Sequence, residues 1–238
     1  MNFSEVLKKA DEFTLLLNSS TNTDMVKVVT LRRPEEPMDE LYFTKLVTWS
    51  YGFLVEAGQS AFREVGNLLK VSDPPAATRN GIGNKHVHDL RTVLTHNLAG
   101  DEKSSGYRAR SQVDIWLLQN GGEPVDWEKC CIALCITVID IIDNLSNCWV
   151  SATAETSDRE NAVKQICDAV ENKWAAHELD RILEEAADLL NIPGLDIVAY
   201  RNLRLKEWFS LSACFSNRRD AEAGLRRIIQ AELKTRFL

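Results

Sequence analysis

Histidine is scarce in this chain, paired cysteines are missing, and no apolar run is long enough to span a bilayer. Each shortage removes a class of function. The four histidines, at 86, 88, 96 and 177, are too few for the multi-histidine centres of zinc hydrolases. The six cysteines (Cys130, Cys131, Cys135, Cys148, Cys167, Cys214) contain no Cys-x-x-Cys pair. Neither a zinc knuckle nor a disulfide scaffold is therefore expected. Reduced thiols in a core fit better, above all Cys131 and Cys135, four apart on an apolar segment. No Gly-x-Ser-x-Gly elbow occurs. Gly81-Ile82-Gly83-Asn84-Lys85 lacks the second glycine and the Lys-Ser/Thr of a phosphate-binding loop, so it reads as a turn before a helix.

The longest apolar run, residues 130–142, is interrupted by Asp140 and falls short of the roughly 18–20 residues a bilayer needs. A buried helix is the expectation. Lys8 and Lys9 follow the first apolar residues rather than precede them, unlike a secretory signal. The reading is of a soluble, cytoplasmic protein with no membrane partner.

What is abundant is helical pattern. Amphipathic stretches are read at 3–17, 38–70, 84–99, 108–119, 126–150, 157–190, 195–214 and 217–236, with period-2 alternation only at 26–31. Asp39 puts an acid in the first turn of the second stretch, and Ser157-Asp158-Arg159-Glu160 forms a capping box. Asp73-Pro74-Pro75 is read as a helix end, with 72–83 as a loop. This predicts an all-α antiparallel bundle of six to eight helices. Its principal body is assigned to 1–190, and a basic helical pair at 191–238 is packed on the same domain.

The net charge of −7 argues against broad binding of nucleic acid. Residues 201–238, however, hold nine basic and four acidic residues, a local +5. That asymmetry suits a phosphate-tracking face, an acidic partner or a solvated helix surface.

The most informative segment is Arg91-Thr92-Val93-Leu94-Thr95-His96. Arginine presents a permanently charged planar fork that fits a phosphodiester, and histidine exchanges a proton near neutral pH. Leu90, Leu94 and Leu98 recur every four residues, as one apolar helix face requires. Asn84 is read as the helix start and Gly100 as its stop. Thr92 lies four residues before His96, on the same face, where its hydroxyl can orient the imidazole. His88-Asp89 suggests a metal-dependent phosphohydrolase, but the upstream histidine ligand such a site needs is missing.

On Arg91, the four intervening residues and His96, set in a helical chain, the sequence resembles the HEPN superfamily (higher eukaryotes and prokaryotes nucleotide-binding domain). It departs from that pattern at Thr92, where active members carry Asn, Asp or His. The resemblance implies a metal-independent endoribonuclease that leaves a 2′,3′-cyclic phosphate and uses no cofactor. His96 would be the general acid or base and Arg91 the phosphate clamp. Thr92, Asn97 and His88 would support catalysis or contact RNA. It further implies a homodimer formed through the 84–99 helix, and a toxin or antiviral effector restrained by an antitoxin or regulatory protein. The competing expectation is a non-catalytic helical module that binds a partner, a nucleotide or RNA.

Overall fold

A computed structural model describes residues 1–95, 105–171, 174, 176–215 and 217–237, with backbone alone at 105–107, 157 and 171. Every regular element among them is helical. The chain forms two compact units, residues 1–167 and 168–238.

In the first unit, α1 (Phe3–Thr21) opens where the Asn2 side chain accepts the Glu5 amide. It buries Phe3, Val6, Ala10, Phe13 and Leu17, one stripe at three- and four-residue steps. The stretch at 26–31 forms no strand. The Lys27 amide instead donates to the Ala57 carbonyl at 3.1 Å.

That crossing helps explain why the expected helix at 38–70 is divided. α2 (Glu40–Tyr51) starts at Asp39, whose carboxylate accepts the Tyr42 amide at 2.9 Å. A π-helical turn follows (Gly52–Ala57), and then α3 (Gln59–Ser72). Leu31 lies so close to Gly52 that an added Cβ would stand 2.7 Å from its Cδ1. A side chain at position 52 would have to displace the end of Leu31, so glycine suits the close crossing.

α4 (Pro74–Thr95) corrects two expectations. Residues 74–83 are helix rather than loop, and Asn84 lies inside a helix rather than at its start. The Asp73 carboxylate accepts the Ala76 amide at 2.9 Å. Pro74 and Pro75 fill the first two positions, where an amide has no intrahelical partner to lose. The two prolines therefore mark a beginning, not an end. Gly81 and Gly83 sit within the helix, and Gly83 faces α6, where an added Cβ would meet Ile141 Cδ1 at 2.9 Å.

α5 (Ser105–Gly121) and α6 (Trp127–Ala152) complete the main body, the latter capped by Asp126 through the Lys129 amide. By length and composition α6 could cross a membrane, with mean hydropathy 1.6. Here it is the central helix, packed against α1, α2, α3, α4 and α5. It buries Cys130, Cys131, Leu134 and Cys135 in its first turns. α7 (Thr156–Glu171) begins one residue before Ser157, the residue read as its cap.

The second unit contains α8 (Ala176–Leu189), α9 (Ile197–Ser212) and α10 (Arg218–Phe237). α8 buries Leu179, Ile182 and Leu183 in one cluster with Trp208 of α9 and Leu225 and Ile229 of α10. Its partners thus lie beyond residue 190, the boundary drawn from sequence. The expected helices at 38–70 and 157–190 are each two helices. Ten α-helices therefore stand among the described residues where six to eight were expected.

Candidate functional site

α4 carries the candidate residues near its C-terminal end. His88 and Arg91 are three apart and share a face, and both meet Tyr51, the last residue of α2. The Arg91 guanidinium lies over the Tyr51 ring at 4.9 Å from its centroid. The His88 and Tyr51 rings are 5.9 Å apart. Arg91 is half-buried and His88 exposed. Nothing in the sequence marks Tyr51, because its partners lie about 40 residues away and no local period connects them.

Thr92 uses its hydroxyl proton inside its own helix, donating to the His88 carbonyl at 2.8 Å. Thr95 donates in the same way to the Arg91 carbonyl at 2.7 Å. The Thr92 oxygen keeps lone pairs and can still accept an N–H. His96 and Asn97 lie outside the described residues. The structure therefore brings together His88, Arg91 and Thr92, and adds Tyr51.

Asp89 points away from this face into the protein. Its nearly buried carboxylate is ion-paired with Lys85 and lies 3.6 Å from His88 Nδ1. An aspartate held by lysine on its own helix is not poised as a metal ligand. Among the described residues, no three His, Cys, Asp or Glu side chains converge as a metal site would need.

His86 occupies the opposite face of α4, beside Asp140, Asp143 and Arg79. Burial and then the Lys85 charge push its pKa down, against a smaller upward pull from Asp89. Its imidazole is consequently neutral at pH 7 and separate from Arg91.

The basic C-terminal stretch is balanced inside its own unit. Residues 168–238 hold eleven basic and twelve acidic residues, a net of −1. Arg218 pairs with Glu178, Arg226 with Glu185 and Glu222, and Arg201 with Asp180 at 3.1 Å. Arg204 reaches Glu232 at 2.7 Å. Acids of α8, outside the 201–238 window, supply most of these partners. A phosphate-tracking face built from these arginines would first have to break those pairs.

No family model matches the chain, and no curated protein or solved structure does either.

Proposed function

We propose that the chain is a metal-independent endoribonuclease of the HEPN kind, with Arg91 and His96 at its centre. The observation that carries this reading is the placement of Arg91 on α4. It is half-buried, laid over Tyr51 and three residues from His88, on a helix described up to the residue before His96.

In the reaction, His96 takes the proton of a ribose 2′-hydroxyl as the 2′-oxygen bonds to phosphorus. The bond from phosphorus to the 5′-oxygen breaks, and that oxygen takes a proton from an imidazolium. Arg91 offsets the charge that builds on the phosphoryl oxygens. One imidazole cannot serve as base and acid in a single step. The His96 of a second copy supplies the acid, in a dimer that meets along the C-terminal part of α4. Thr92 orients His96 by accepting its N–H, while Asn97 and His88 contact RNA. The products are a 2′,3′-cyclic phosphate and a 5′-hydroxyl. As a toxin or antiviral effector, such an enzyme would be held in check by a regulatory protein.

The test is incubation with structured RNA in excess EDTA, comparing the parent with Arg91→Ala and His96→Ala. Cleavage by the parent alone, with cyclic-phosphate ends and DNA left intact, is the expected result. Cleavage that persists in both variants, or stops in EDTA, would overturn it. A second reading, a non-catalytic RNA- or partner-binding module, draws support from Thr92, whose proton is engaged with the His88 carbonyl.

A further inference from the structure

A groove of about 300 Å³ lies between α3 and α4, floored by Leu69 and by Leu145 of α6. Its size is at the small end of ligand sites, roughly 300–1,000 Å³. Three features give it a chemical character. Arg63 and Lys70 line it, and no acidic residue does, in a chain of net charge −7. Arg63 engages Glu64 through Nε at 3.2 Å, which leaves its two terminal nitrogens without a partner among the described residues. Lys70 gives one donor to Asn67 and keeps two.

The second feature is the wall. Gly66 of α3 and Gly81 of α4 both line the groove, and a Cβ added to either would meet nothing within 4 Å. Each lies inside a helix, where glycine is the poorest residue after proline. No packing constraint accounts for them, whereas a flat ring sliding between two helix backbones would. The side chain of Asn84, half-buried at the same groove, makes no hydrogen bond among the described residues. Its amide can donate to and accept from the edge of a base.

The third is direction. Ala77, Gly81, Asn84, His88 and Arg91 follow one another at steps of four, three, four and three. At about 100° per residue they form a single stripe along α4. Asn84 and Arg91 are separated by about 10 Å along the axis, at about 1.5 Å per residue. The groove therefore opens along the helix face that carries His88 and Arg91.

We infer that the α3–α4 groove is a subsite for single-stranded RNA, which seats one unpaired base between Gly66 and Gly81 and its flanking phosphates on Arg63 and Lys70. The strand then continues along α4 to Arg91. Single strands are held by a basic groove that tracks the backbone beside faces on which bases lie, commonly aromatic rings; here the faces are the helix backbones at Gly66 and Gly81. This subsite rests on the ribonuclease reading only for the role of Arg91. The groove chemistry is independent of it.

The probe is a fluorescein-labelled 12-mer of 2′-O-methyl oligouridylate, which lacks the nucleophile, bound to the full chain and followed by anisotropy. The Arg63→Gln/Lys70→Gln double variant is expected to raise Kd at least tenfold. It should also flatten the dependence of log Kd on log salt by about 1.4, for two lost phosphate contacts. Gly81→Leu, which fills the slot, should raise Kd at least tenfold with an unchanged salt slope. Unchanged circular dichroism and a melting temperature no lower than the parent's keep both variants interpretable. Values within twofold of the parent in both variants would overturn the subsite, as would equal affinity for a blunt RNA duplex.

Cleavage of unmodified RNA separates the two claims. A parent that cuts RNA through Arg91, yet binds it independently of the groove, leaves the ribonuclease and removes the subsite. A parent whose binding depends on the groove, but which cuts nothing, does the reverse.

Discussion

The guanidinium carbon of Arg91 stands 4.9 Å from the centre of the Tyr51 ring, so the last residue of α2 holds the cation that α4 presents. A cation over an aromatic face gains about 0.5–1 kcal/mol when exposed and about 2 when desolvated. Removing the ring frees the long side chain to sample other rotamers. On the proposed ribonuclease reading, Tyr51→Leu should lower kcat/KM on RNA about tenfold, the equivalent of about 1.4 kcal/mol. Tyr51→Phe keeps the ring face and should retain most of the activity. Equal activity in the parent, Phe and Leu forms would show that the ring does not position Arg91.

Gly66 and Gly81 should be stabilised by alanine, because the added methyl meets no atom. Each replacement should gain about 0.5–1 kcal/mol, from a chain with fewer unfolded conformations. Gly58 should behave in the opposite way. A Cβ there would lie 2.4 Å from the Phe62 ring, which is itself packed on Phe13 and Phe53. Gly58→Ala should cost about 1–3 kcal/mol by overpacking. Urea unfolding of the three variants reads the sign directly, and a stabilised Gly58→Ala would contradict the packing described.

The thiols on α6 make stability fall in alkali. Cys131 and Cys135 are both pushed up to about 12, first by burial. In the unfolded chain these thiols ionise near pH 9, while in the folded one they keep their protons. Between those values the unfolded state binds fewer protons, so stability drops as pH rises. The slope is about 1.4 kcal/mol per pH unit for each thiol, and the contribution is fully present below about pH 9. Unfolding by urea at pH 8 and pH 10 measures it. Cys131→Ala/Cys135→Ala should flatten the profile, and an unchanged slope would mean that other groups cause it.

Glu232 binds two elements of the second unit together. Its carboxylate accepts from Arg204 at 2.7 and 3.3 Å and from Trp208 Nε1 at 3.2 Å. A partly exposed ion pair alone contributes under about 1 kcal/mol. The Trp208 ring, however, is fully buried, and an orphaned buried donor costs about 1–3 kcal/mol. Glu232→Ala should therefore destabilise α9 and α10 by about 2 kcal/mol. Glu232→Gln, which still offers an oxygen to Trp208, should lose less. Hydrogen exchange at 197–237 should accelerate in that order, and equal protection in both variants would refute the ranking.

A local sequence signal reaches only about four residues along a helix. Asp126, four residues before Cys130, starts α6, whose bounds lie within a residue or two of the amphipathic stretch at 126–150. Asp73-Pro74-Pro75 is ambiguous at that range. Proline ends a helix that precedes it and suits the first turn of a helix that follows. At this point both helices exist, joined through Asp73 alone. The break at Gly52–Ala57 was not legible either, because it depends on residues 26–31 passing over Gly52.

At the candidate site, the type and spacing of Arg91, Thr92 and His88 could be read locally, since residues three or four apart share a helix face. Tyr51 could not, and neither could the engagement of the C-terminal arginines. Arg218 and Arg226 find their acids about 40 residues earlier, on α8.

Local pattern in the chain is enough to set the helical class, the stripes that bury α1 and α6, and the acid at the start of α2. These rest on hydrogen bonds and side-chain contacts within four residues. Where long helices break, which cations are neutralised and which glycines face open space are set by packing. Those outcomes depend on chain segments that are distant in sequence and meet only when apolar faces are buried together.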